Sequence, residues 1–254
     1  MNTINDSDFI RYQRQICLPE FGESGQLKLE ESRVLMIGCG GLGSLVAPYL
    51  VGAGVGSIVI IDDDNIDISN LHRQFIYRES EIGQNKAARL KSNLNQLNNN
   101  VQVRAIQYRL TEQQLALEVI MCDVVIDCTD NFTTRHQINR ACFKHKTTLI
   151  SASAIGWQGQ LAVYHYQEDE ACYRCIYPED ISEPRSCSTS GVMGPVVGVM
   201  ASMQALACIK NLISTPNHSP QSLVSFNGIN NTFQTLNIIR DPECPVCATK
   251  EVTA

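Results

Sequence analysis

The sequence predicts an α/β fold on one mixed sheet, parallel in its first half and antiparallel in its second, with helices on both faces. Three observations carry that expectation. Short apolar runs alternate with longer helical stretches from Arg33 to Ala152, the pattern of parallel strands joined by crossover helices. The first of these strand-to-helix turns is Gly38-Cys-Gly-Gly-Leu-Gly43, a G-x-G-x-x-G signature in the context that makes it Rossmann-like. From Ala154 the pattern changes, and Gln158-Gly-Gln-Leu-Ala-Val-Tyr-His-Tyr166 alternates as antiparallel strands do.

Each element has its own signal. Asp6 to Ile16 reads as a short helix with Asp6 as N-cap and Phe9, Tyr12 and Ile16 spaced for one apolar face. Arg11 and Arg14 fall on a neighbouring face, where a solvated pair is the simplest reading. Arg33 to Ile37 is a strand, Leu42 to Val51 a helix, and Ser57 to Ile61 a strand that ends in Asp62-Asp63-Asp64. Helices follow at Asn85 to Leu97, Glu112 to Met121 and Thr133 to His145, with strands at Val101 to Ile106, Asp123 to Asp127 and Thr148 to Ala152. Later strands are expected near Ser222 to Phe226 and Thr232 to Ile239. No repeat or linker divides the chain, so one domain over residues 1–254 is expected.

Composition narrows the function classes. The 254 residues are 44% hydrophobic and 18% charged, with a net charge of -6, so no basic field favours nucleic acid or an anionic membrane. The N-terminus lacks an apolar signal core, and the eleven cysteines are scattered, which fits reduced thiols and metal ligation in a cytoplasmic protein. Between Arg185 and Lys210 no charge occurs, close to the about 20 apolar residues of a membrane span. Gly194-Pro195, Gly198, Ser202 and Gln204 interrupt that run, so a buried helix from about Pro195 is expected, close-packed or at an oligomer interface.

Four constellations carry chemistry. Cys172-Tyr-Arg-Cys175 and Cys244-Pro-Val-Cys247 are paired C-x-x-C knuckles, which supply the thiolates of a closed structural Zn²⁺ site; two unrelated pairs of buried cysteines are the alternative. Arg73, in Asn70-Leu-His-Arg73-Gln74, and Lys86 add cationic charge beside the glycine turn, more than a pyrophosphate needs and suited to a triphosphate. Asp127-Cys-Thr-Asp130-Asn131 ends a parallel strand where ligands bind; Asp130 there either holds Mg²⁺ or caps the helix from Thr133. Cys187, near Arg185 in a polar segment, is either a surface cysteine or a thiolate able to attack an activated acyl group.

Together these residues resemble the ubiquitin-activating-like adenylyltransferases of the ThiF/MoeB/HesA family. The resemblance runs over nearly the whole chain, through Arg11-Tyr-x-Arg-Gln15, Gly38-x-Gly-Gly-Leu-Gly43, Asp67-x-Ser-Asn-Leu-x-Arg-Gln74, Lys86, Asp127-Cys-Thr-Asp-Asn131, Cys172-Tyr-Arg-Cys175 and Gly191-Val-Met-Gly-Pro195. It implies an ATP site formed by Gly38, Gly40, Gly41, Leu42, Gly43, Asp62, Asp64, Asn70, Arg73, Gln74, Lys86, Asp130 and Asn131. In it Asp62 would bind the ribose, Arg73 and Lys86 the phosphates, and Asp130 the Mg²⁺, while Arg14 would reach into the partner's site of a homodimer. The implied reaction is adenylylation of the C-terminal glycine of a ubiquitin-fold sulfur carrier protein, followed by thiocarboxylate formation from a persulfide donor such as a cysteine desulfurase. The stretch Arg185 to Met200, with Ser151-Ala-Ser-Ala154, looks closer to the thiamine branch of the family than to the molybdopterin branch, and in that branch Cys187 would take part in sulfur transfer. Two rivals stand outside this class: a nicotinamide-dependent oxidoreductase, which leaves Arg73, Lys86, Asp130 and the knuckles unexplained, and a non-catalytic zinc scaffold.

Overall fold

In a computed structural model of the chain, which describes residues 4–179, 191–214 and 221–248, eight strands form a single sheet of order β3-β2-β1-β4-β5-β6-β7-β8. The strands are β1 (Arg33–Ile37), β2 (Ser57–Ile61), β3 (Gln102–Ile106), β4 (Val124–Asp127), β5 (Thr148–Ile155), β6 (Gln158–Tyr164), β7 (Ser222–Asn227) and β8 (Thr232–Asn237). Pairing is parallel from β3 to β5 and antiparallel from β5 to β8. The change occurs where the period-two alternation begins, because consecutive strands joined by a short turn must run antiparallel.

The helices are α1 (Asp6–Ile16), α2 (Gly22–Glu31), α3 (Gly43–Ala53), α4 (Lys86–Leu97), α5 (Glu112–Ile120), α6 (Phe132–His145), the short α7 (Tyr173–Ile176) and α8 (Gly194–Leu212). Alternate residues of the parallel strands feed two cores. Val34, Met36, Ile58, Ile60, Val124 and Ile126 pack against α3, α4 and α8, whereas Leu35, Ile37, Val125 and Leu149 pack against α5 and α6. That double-sided burial explains why these strands read as unbroken apolar runs.

Local chemistry sets the boundaries. Asn5, not Asp6, caps α1: its side chain accepts from the Asp8 N–H, and Asp6 is left to complement the helix dipole. Tyr12 and Ile16 are buried as the spacing requires, but Phe9 remains 41% exposed. Asn85 caps α4 and Asn131 caps α6, so the capping alternative for Asp130 falls to its neighbour. Helix α2 has no counterpart in the sequence expectation. The apolar helix α8 is long enough to cross a bilayer by composition, yet it packs on β5, β6 and α3 and buries Val196, Val197, Met200, Ala201, Gln204, Ala205 and Cys208. Each of the ten described cysteines is free.

Candidate active site

Strand order reverses between β1 and β4, and a cavity of about 650 Å³ opens above their carboxyl ends. The glycine turn forms its floor. Gly38 has φ of +95°, and a Cβ on Gly43 would lie 1.9 Å from the Gly38 carbonyl oxygen, so both positions require glycine. The N-terminus of α3 has no side-chain cap, and its Ser44 and Leu45 N–H groups donate to Gly40 O and Leu42 O, so what the helix offers an anion at the cavity is the positive end of its dipole.

The segment after β2 closes over this turn. Asp67 and Asn70 form a capping box around the 3₁₀ turn Ile68–Asn70. That turn brings Arg73 over the glycines: its Cδ and Nε lie 3.6 and 3.7 Å from where a Gly41 Cβ would stand. Arg73 Nη1 donates to Ser69 O at 3.0 Å. Gln74 Nε2 lies 3.7 Å from the corresponding position on Gly40, and the buried Gln74 Oε1 has no hydrogen-bond partner. Val197 of α8 approaches the Gly41 position to 3.1 Å, so Gly41 is covered tightly from the side opposite Arg73.

At the acidic end of β2, Asp62 binds the turn while Asp63 and Asp64 remain exposed. Asp62 accepts from the Cys39 N–H at 2.6 Å and from the Asp64 N–H at 2.8 Å. Burial lifts the Asp62 carboxyl above the usual carboxylate range, against the pull of those two donors. Lys86, the first residue of α4, is almost fully buried and ion-paired with Asp64. Partial burial would raise the Asp64 carboxyl, but the Lys86 ammonium bound to it holds it below the ordinary range. A polyphosphate beside Lys86 would compete with Asp64 for the ammonium.

Asp130 and Asn131 line the same cavity from the end of β4. Asp130 is exposed there, a hard oxygen ligand facing an anion-binding turn, which fits Mg²⁺ beside phosphate. Arg73, Lys86 and Asp130 thus meet in one cavity with the glycine turn, Asp62, Asp64, Asn70 and Gln74. Arg14 does not: it is exposed on α1 and outside its own chain's cavity lining. Cys187 lies outside the described residues. The structure adds Tyr108 and Arg109, whose Nε donates to Asp63 at 2.9 Å, and the buried Arg135. No motif marked these three; only the β3 and α6 positions at the sheet's carboxyl edge could have pointed to them.

The four knuckle cysteines form a separate centre whose sulfur atoms all lie within 4.8 Å of one another. Cys172 and Cys244 sulfurs are 3.7 Å apart, and those of Cys175 and Cys247 are 3.4 Å apart. Tetrahedral Zn–S bonds of about 2.3 Å place sulfurs roughly 3.8 Å apart, so the cluster fits Zn²⁺ without an open position. Asn139 Nδ2 donates to Cys172 Sγ at 3.6 Å, an outer contact of the kind that orients a ligand.

The mixed sheet, the glycine turn at the strand-order reversal and a cavity lined by both cations and carboxylates define a Rossmann-like nucleotide-binding protein with a separate four-cysteine centre. A family model described as the ThiF family matches residues 12–246. The chain is 46% identical over 246 residues to the sulfur carrier protein ThiS adenylyltransferase of Escherichia coli (strain K12), covering 96% of this chain and 97% of that protein. It is 36% identical over 247 residues to the molybdopterin-synthase adenylyltransferase of the same organism, covering 97% and 99%. A crystal structure of E. coli MccB with succinimide shares the fold, with a TM-score of 0.80 at 24% identity over 93% of this chain and 73% of that one. The chain belongs to the ThiF family.

Proposed function

We propose that this protein adenylylates the C-terminal glycine carboxylate of a ubiquitin-fold sulfur carrier protein of the thiamine pathway, for thiocarboxylate formation in thiazole synthesis. The observation that carries this reading is the convergence of Arg73, Lys86 and Asp130 on the glycine turn in one cavity. Its 46% identity to a ThiS adenylyltransferase supports the choice of carrier. A nicotinamide oxidoreductase has no use for that cationic and acidic set.

The reaction joins a carboxylate oxygen of the carrier to the α-phosphorus of ATP, breaks the bond from that phosphorus to the bridging oxygen, and releases pyrophosphate. The carboxylate is already ionised at neutral pH, so the protein needs no base to activate it. Its task is to align the reactants and neutralise charge. The α3 N-terminus and Arg73 bind the phosphates, and Lys86, released from Asp64, follows the charge onto the leaving pyrophosphate. Asp130 would hold Mg²⁺, which screens the phosphates and draws charge from the leaving group. The exposure of Arg14 beyond its own cavity supports a homodimer in which the partner subunit's Arg14 completes the site. The four-cysteine cluster would hold Zn²⁺ as a structural ion. Cys187 would take part only afterwards, in sulfur transfer from a persulfide donor.

ATP–pyrophosphate exchange tests this directly. The purified protein is given the thiamine carrier, the molybdopterin carrier, and each carrier without its terminal glycine. Exchange with the intact thiamine carrier alone is expected. Exchange with the molybdopterin carrier alone would keep the chemistry and move the pathway, an outcome given weight by the 36% identity to a molybdopterin-synthase adenylyltransferase. Exchange with neither would overturn the proposal.

A further inference from the structure

The glycine turn is pinned at its second residue from two directions. The Cys39 N–H donates to Asp62 Oδ2 at 2.6 Å, and the Cys39 carbonyl oxygen accepts from the Tyr77 hydroxyl at 2.8 Å. The same hydroxyl lies 3.3 Å from Lys86 O, the first carbonyl of α4, so it also ties the turn to the helix that presents Lys86. Tyr77 is 3% exposed and belongs to the buried cluster that holds Cys39, Ala87 and Leu90. Burial lifts its phenol far above the ordinary range, so the hydroxyl stays a donor at neutral pH. Among the described residues no second donor reaches Cys39 O.

That carbonyl decides where the next N–H points. The Cys39–Gly40 peptide is trans, so its C=O and N–H face opposite sides of the chain. With the oxygen turned to Tyr77, the Gly40 N–H is turned away from the core. Gly40 lines the nucleotide cavity and Tyr77 does not. Among the described residues the Gly40 N–H has no acceptor. The one atom within 4 Å of a Gly40 Cβ, its chain neighbours aside, is Gln74 Nε2, itself a donor. Glycine accepts either backbone hand, so little at Gly40 itself prevents this peptide from reversing. Reversed, it would present a carbonyl oxygen to the phosphates in place of a donor.

We propose that Tyr77 is a positioning residue for the nucleotide: by holding Cys39 O it turns the Gly40 N–H onto a phosphate oxygen of ATP. The inference rests on the reading that the glycine turn binds the phosphates of ATP.

Cys39–Gly40 is the sole Cys–Gly step in the sequence. Full-length, zinc-loaded protein labelled at its cysteine carbonyl carbons and glycine nitrogens therefore gives one carbonyl–amide NMR signal, which reads both ends of this peptide. It is titrated with ATP and Mg²⁺ and, separately, with adenosine, and affinities are taken from the same titrations. Because the readout is binding rather than turnover, it does not depend on finding the right carrier. ATP, and not adenosine, is expected to move the Gly40 proton downfield. Tyr77→Phe keeps the ring and removes only the hydroxyl. It should move the Cys39 carbonyl signal upfield, suppress the response of Gly40 to ATP and weaken ATP binding about threefold to tenfold, the range of one lost hydrogen bond. Adenosine affinity and zinc content should stay at the parental values. A parental Gly40 signal that answers ATP and adenosine alike would overturn the inference without any variant and leave ATP binding standing. A Tyr77→Phe protein with the parental response and affinity would do the same. Equal weakening of ATP and adenosine would overturn it too, reducing Tyr77 to packing. A parent that binds no ATP would remove the reading of the cavity and the inference together.

Discussion

Gly43→Ala and Gly52→Ala add the same methyl group to the same helix, α3, and are expected to have opposite effects. At Gly43 the new carbon would lie 1.9 Å from Gly38 O and 2.9 Å from Gly38 C. A carbon–oxygen contact of roughly 3.3 Å is the usual limit, so one side must retreat by more than about 1 Å. Gly38 has nowhere to go: its N–H donates to Ile61 O at 2.9 Å, and its own side-chain direction is blocked by Cys128 O at 2.7 Å. The next N–H, of Cys39, is fixed on Asp62 at 2.6 Å. Two hydrogen bonds of about 1 kcal/mol each and an overpacking cost of about 1–3 kcal/mol sum to about 3–5 kcal/mol of lost stability. For a chain of this size that lowers Tm by on the order of 10 °C. At Gly52, exposed on the far end of α3, nothing lies within 4 Å of the new carbon. There alanine should stabilise by about 0.5–1 kcal/mol, since glycine loses more backbone entropy on folding. Urea unfolding and calorimetry report both, with ATP binding measured on the same samples. A Gly43→Ala protein within 1 kcal/mol of its parent and with parental ATP affinity would mean that the turn yields freely, contrary to this account.

Asp130→Ala should reduce carrier-dependent pyrophosphate exchange by at least about 100-fold while zinc content and fold persist, because Asp130 is exposed and caps no helix; full exchange would remove it from the site. Cys244→Ser should cut bound zinc well below one ion per chain and lower stability by about 3–5 kcal/mol, and a variant that keeps both would dissolve the metal assignment. Burial holds the His136 imidazole below its ordinary range, with Arg140 and Arg174 adding to that and Glu179 opposing it. The unfolded chain therefore binds a proton first, so stability should fall as pH drops through about 6.5 and continue to fall until the folded-state histidine titrates. His136→Phe, whose ring can occupy the same site beside Phe132 and Tyr173, should flatten that slope in urea midpoints between pH 7 and 5; an identical slope in the variant would assign the loss to other groups.

The sequence shows most of what local chemistry decides. Strand β1 ends where its apolar run meets Gly38 and β2 lies between Gly56 and Asp62, and the knuckles are legible because each C-x-x-C is a local spacing. What it hides depends on burial by distant partners. Helix α2 contains Gly22, Ser24 and Gly25, with no apolar periodicity, and forms because Phe21 packs on Gly25 and Leu29 is covered by neighbours of α1. Arg135, in Thr-Thr-Arg-His, reads as a solvated helix start until β4 and β5 place Asp127, Ser151 and Ala152 around it. Gln204 reads as an interruption in an apolar run. In the fold it is fully buried and its amide donates to Asp127 O and Ile150 O, so it joins α8 to the end of β4 and to the neighbouring strand β5.

The two knuckles are 72 residues apart along the chain, yet their sulfurs touch. With a metal bound there, β7, β8 and α8 lie on a closed ring of polypeptide rather than on an open thread. Tension applied at the two ends of the molecule would then bypass that ring. Extension would stall with about 250 Å of contour length still hidden, released only when a metal–sulfur bond gives way. The helix that covers Gly41 through Val197 would be among the parts withheld from the pull, so the mechanical clasp also shelters one wall of the nucleotide cavity.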